Sequence, residues 1–134
     1  MRSLRLLVPV SLIILFIGCK KDTPAEQPLK DLLMSGGSWT ISSFTQSYDT
    51  ANYVGHSLVF QTDGKLQAQS SSLSRTGTWR AYGAAGDVVL LAIELEGEDF
   101  VHMESNWSIR TMTPTRLEFS AGYWLPSYMT LVKN

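Results

Sequence analysis

One cysteine, two histidines and no surplus of basic residues leave this 134-residue chain poorly equipped for thiol, imidazole or polyanion chemistry. Cys19 stands alone, so no internal disulfide can form and the fold must be held by its core. Eleven Lys and Arg against twelve Asp and Glu give a formal net charge of -1, which supplies no footprint for a nucleic-acid backbone. His56 and His102 lie far apart in sequence, outside any His-x-x-x-His spacing that suits zinc. The acidic stretch Glu94, Glu96, Glu98, Asp99 and Glu104 lacks the fixed spacing of a calcium loop and reads as a solvated face. No Gly-x-Ser-x-Gly elbow and no phosphate-cradling glycine loop occurs. Glu94 and Glu104 can approach across neighbouring strands, but any β-protein offers such pairs. These absences predict a non-enzymatic protein with no catalytic residues, no metal and no cofactor. What remains is 44% hydrophobic and 17% charged, a balance that excludes a disordered chain and fits one ordinary domain.

The N-terminus carries an address. Arg2 and Arg5 precede an apolar run over 6–17, which is shorter than the roughly 20 residues of a membrane-spanning helix. The ending Phe16-Ile17-Gly18-Cys19 resembles the lipobox of bacterial lipoprotein precursors. The resemblance implies cleavage before Cys19 and lipidation of that cysteine, with residues 1–18 as signal peptide. Losing Arg2 and Arg5 takes the net charge from -1 to -3, so acyl chains rather than charge must hold the mature chain to a membrane. Residues 19–28, polar and interrupted by Pro24 and Pro28, read as a tether. Lys20-Lys21-Asp22 partly resembles the surface-export signal of Bacteroidetes lipoproteins, so an outer-membrane protein facing either the periplasm or the cell surface is expected.

Residues 29–134 form the folded domain. Leu29, Leu32 and Leu33 are spaced for a short helix ended by Gly36-Gly37. Beyond it helical periodicity vanishes. Stretches 38–45, 57–61, 65–70, 76–82, 88–95, 105–112, 116–120 and 127–133 are rich in β-branched and aromatic residues and are separated by turn-formers. Asp63-Gly64, within the link 62–64, is the sharpest hairpin signal and predicts a type I′ turn with positive φ at both central residues. Eight short strands in sequence order predict an all-β, antiparallel up-and-down barrel, whose closure removes exposed edges; a small sandwich is the competing architecture. In the fifth strand Val89, Leu91, Ile93 and Leu95 face one way and Val88, Leu90 and Ala92 the other. The helix is the expected cover for the outward set. Trp39, Trp79 and Trp107 are expected in the core.

Gly37-Ser38-Trp39, Leu58-Val59-Phe60 before Asp63-Gly64, Gly77-Thr78-Trp79, Trp107-Ser108-Ile109, Leu117-Glu118-Phe119 and Leu131-Val132-Lys133 together resemble the lipocalin-like domains of Bacteroidetes lipoproteins, over roughly 35–133. In a meander, alternate links share one rim. The links 46–56, 71–75, 96–104 and 121–126 are therefore set against the shorter 62–64, 83–87 and 113–115. In lipocalins the Gly-x-Trp of the first strand marks the closed end, so the resemblance implies that the long links form the mouth. That mouth would hold Tyr48, Tyr53, His56, Phe100, His102, Tyr123 and Trp124, which either line a pocket or cap the core. Tyr123, Trp124, Tyr53 and Phe100 are the expected ligand contacts. Two functions compete: binding of a small apolar or amphipathic ligand at the open end, or a filled barrel whose mouth loops engage an envelope protein or a glycan.

Overall fold

The computed structural model describes residues 26–46, 53–84, 88–122 and 124–134. Residues 1–25, which hold the expected export segment and Cys19, lie outside the described residues, as do Tyr48 and Tyr123. Helix α1 (Glu26–Met34) leads into eight strands: β1 (Trp39–Thr45), β2 (Ser57–Phe60), β3 (Lys65–Gln69), β4 (Ser74–Ala84), β5 (Val88–Leu95), β6 (Ser105–Met112), β7 (Arg116–Ala121) and β8 (Ser127–Lys133). Each strand pairs antiparallel with its sequence neighbour, and β8 returns to β1 to close a barrel. The meander expected from turn spacing is the architecture observed, with no sandwich.

Apolar alternation fills the interior. Leu58 and Phe60, Leu66 and Ala68, Trp79 and Ala81, Leu117 and Phe119 all point inward from their strands. From β5 the inward set is Val89, Leu91, Ile93 and Leu95. Two β-bulges adjust the pattern. One extra residue between Ile41 and Ser43 re-aims β1 so that Phe44, opposite Met129, reaches the core; another between Ile109 and Thr111 does the same for Met112, opposite Leu117.

The two ends are closed by different means. At the end where β1 begins, Trp39, Trp79 and Phe60 form a floor, with Phe60 and Trp79 edge to face at 5.5 Å. Helix α1 lies under it and buries Leu29 and Leu33 in the same core. It packs principally against β2 and β4, so it stoppers the base and is not the expected cover for the outward side chains of β5. Those side chains manage without one: Val88 is exposed, and Leu90 and Ala92 are half-buried.

The helix also starts earlier than its leucines suggest, at Glu26, because Pro28 falls in the first turn, where a missing N–H costs nothing. Its first turn is fastened by Glu26, which accepts hydrogen bonds from Lys30 and from the Gly83 amide. The Lys30 ammonium above all holds the Glu26 carboxyl below its ordinary value of 4.5. A carboxyl lowered in the folded state contributes stability above its unfolded pKa and loses it as pH falls through the folded value. The Gly83 amide resonance should therefore shift on acidification with a midpoint below 4.5, and Glu26→Gln should abolish the transition. An unshifted Gly83 amide between pH 6 and pH 2.5 would refute the fastening.

The Asp63-Gly64 hairpin departs from expectation in one detail. Gln61 N–H donates to Lys65 O and Gly64 N–H to Gln61 O, so the loop has three residues, 62–64. Gly64 alone needs the left-handed region, at φ 80°, as in a turn followed by a glycine bulge.

Candidate functional site

Parity places the links after β1, β3, β5 and β7 at the end opposite α1, and these links build the rim. The β5–β6 link is shaped by a one-turn-and-more 3-10 segment, η1 (Glu98–Met103), which folds Phe100 and Met103 into the barrel mouth. Arg75 of β4 holds η1 from outside, with Nε and a terminal guanidinium nitrogen on Asp99 Oδ2 at 3.0 and 2.8 Å.

Tyr53 descends from the β1–β2 link and stacks on Phe100, with ring centres 5.5 Å apart and planes 15° from parallel. Its hydroxyl donates to Asp99 O at 2.9 Å. Phe44 meets Tyr53 edge-on at 4.8 Å and Trp107 at 5.7 Å, and His56 packs edge-on against Phe100. Trp107 donates its indole N–H to Met103 O at 2.9 Å. Tyr53 and Phe100 are thus 4% and 0% exposed, and the mouth is plugged by aromatic rings.

Above the plug lies a pocket of about 180 Å³ between the ends of β1, β7 and β8, the start of β6, and η1. Gln46, His102, Glu104, Ser105 and Ser127 give it polar walls, and Val101, Trp107, Ala121 and Leu125 supply the apolar part. The Gln46 side-chain carbonyl is buried and accepts no hydrogen bond. Beside the pocket the rim is apolar and exposed: Trp124 is 87% accessible, and Val54, Val101, Leu125 and Tyr128 also face outward.

No family model and no curated protein matches the chain. A solved structure, a DUF4847 family protein from Bacteroides vulgatus, superposes with a TM-score of 0.53, covering 78% of this chain and 97% of its own at 14% identity. The likeness is one of fold. It agrees with the closed antiparallel barrel expected from the strand pattern, and it carries no ligand or activity with it.

Of the four expected ligand contacts, Tyr53 and Phe100 are brought together, but as packing partners facing the core. Trp124 stands on the rim, and Tyr123 lies outside the described residues. Glu94 and Glu104 border common clefts of 240 and 330 Å³ on the outer wall. A wider groove of 540 Å³ runs over β3 and β4 between Lys65, Gln67, Thr76 and Thr78. It lies over Gly77, where β3 and β4 pair, and Gln61 and Glu96 also border it. Among the described residues no group of three or more His, Cys, Asp or Glu is placed to hold a metal ion. Sequence reasoning passed over Gln46 and Ser127, although parity puts the end of β1 and the start of β8 at the rim; neither is aromatic, and aromatics were the signal followed.

Proposed function

We propose that this chain is a non-enzymatic lipoprotein of the bacterial outer membrane, anchored through lipidated Cys19, whose filled barrel presents its long-link rim to another envelope protein. The stacked pair Tyr53 and Phe100, sealing the mouth from inside, is the observation that carries this reading. A barrel that enclosed an apolar ligand would need the volume these rings and Trp107 occupy, and drug-sized ligands ask for about 300–1,000 Å³. Val54, Val101, Trp124 and Leu125 keep apolar surface exposed on the links of the rim, and exposed hydrophobic surface of this kind marks contact sites.

The tether supports the same orientation. From Cys19 to Glu26 the chain spans at most about 25 Å, and Glu26 sits at the base beside Gly83. The base is then the end held toward the bilayer, and the rim faces away from it.

Native mass spectrometry of the mildly purified protein tests the reading. It should show a barrel free of small molecules together with a co-purified protein; a retained apolar ligand would overturn it. Trp124→Ser should leave thermal stability within about 0.5 kcal/mol, as exposed substitutions do, yet weaken that association about 30-fold, the roughly 2 kcal/mol of a hot-spot residue. The anchor is tested separately: Cys19→Ser should no longer incorporate radiolabelled fatty acid, and continued labelling would disprove it.

A further inference from the structure

The rim pocket is too small for a whole ligand, and its polar wall is mostly acceptors, with the single imidazole of His102 beside them. Its 180 Å³ falls below the range of pockets that enclose drug-sized molecules, so what enters is the projecting end of something larger. Gln46 contributes a buried carbonyl without a donor, Glu104 a carboxylate, and Ser105 and Ser127 hydroxyls that accept as readily as they donate. No Lys or Arg lines it. Such a wall is satisfied by a group rich in N–H donors and carrying positive charge. Val101 and Leu125, both on the pocket wall and both exposed, offer apolar flanks to an aliphatic stem.

We propose that the pocket receives the head of a lysine or arginine side chain projecting from the partner protein, its N–H groups meeting the Gln46 carbonyl and the Glu104 carboxylate and its methylenes lying against Val101 and Leu125. Arginine is over-represented among interface anchors because it combines these two demands. The mature chain's net charge of -3 favours the approach of a basic partner surface. This inference rests on the rim being the contact face.

Nuclear magnetic resonance titration of the mature full-length protein with blocked single amino acids tests it. N-acetyl-arginine methylamide or its lysine counterpart should bind at roughly millimolar strength, about 4 kcal/mol of binding free energy, and shift the amides of Gln46, Ser105 and Ser127. The neutral citrulline analogue should bind at least tenfold more weakly. Glu104→Gln, at an exposed position that the fold does not depend on, should weaken the basic probes at least tenfold, as should Gln46→Leu. Equal binding of citrulline, a preference for methyl glucoside over both basic probes, shifts confined to the Glu94 and Glu96 wall, or no binding at all would each overturn the proposal. If Trp124→Ser still releases the co-purified protein while the basic probes fail, the pocket assignment falls and the rim reading stands. If the probes bind but no protein associates with the rim, the rim reading falls instead.

Discussion

Trp107→Ala is expected to cost about 3–5 kcal/mol of unfolding free energy, the range for truncating a large core aromatic. Trp107 is fully buried, touches Phe44, and hydrogen-bonds η1 through Met103 O, so its loss opens the plug and frees the segment that carries Phe100. A domain of this size has about 5–15 kcal/mol in total, and the variant should be partly unfolded at physiological temperature. Trp39 supplies the contrast. It is equally buried, but its indole N–H meets no acceptor. Trp39→Phe removes an unmet donor, whereas Trp107→Phe breaks a made bond, so the second should be more destabilising by about 1 kcal/mol. Urea midpoints at constant m-value read the difference. Equal midpoints for the two phenylalanine variants would mean that the Met103 bond contributes nothing.

Gly77→Ala is the second large effect. A Cβ built on Gly77 would sit 1.9 Å from Glu94 O and 2.7 Å from Leu95 Cα, and both obstacles are backbone. No rotamer change relieves that overlap. Strands β4 and β5 must part where Gly77 opposes Leu95, in a ladder that runs on to Ala84 and Val88. Overpacking of flexible side chains costs about 1–3 kcal/mol, and a backbone collision belongs at or above the top of that range. Thermal unfolding followed by circular dichroism should show a drop in midpoint of many degrees, and Gly77→Val a protein that does not accumulate folded. A wild-type midpoint for Gly77→Ala would show that the strands do not approach as described.

Strand existence was legible in the sequence because each strand carries its own alternation between its own turn residues, and parity followed from their order. The same alternation could not announce the bulges. Read strictly at period two, β1 puts Phe44 outside with Thr40, and only the register against Met129 brings it in. The turn signal at Gly83 limits β4 to 76–82 in sequence, yet pairing with Val88 carries it to Ala84 and pairing with Gln69 starts it at Ser74. The candidate site was half legible. Link parity and the lipocalin resemblance singled out the long-link rim, where the described pocket lies, but burial decides whether an aromatic there binds or packs, and burial of Tyr53 depends on Phe100, 47 positions later in the chain. Gln46 is conspicuous only for an unmet carbonyl, which no one-dimensional pattern contains.

The seam between β1 and β8 governs the order in which this protein can come into being. Thr40 and Asn134, 94 positions apart, hydrogen-bond across it, and Ile41, Phe44 and Thr45 find their partners in Leu131, Met129 and Tyr128. Hairpins from β2 to β7 can nucleate locally, but the free edge of the first strand waits for the last. Loop-closure entropy must be met before that contact rewards it, which places folding in the millisecond-to-second range of barrels dominated by distant pairings. Throughout that interval β1 and β7 are open edges able to recruit strands from other chains. Refolding yield should therefore fall steeply with protein concentration, and a synthetic peptide of residues 127–134 added in excess should lower it further by competing with the chain's own β8 for the seam.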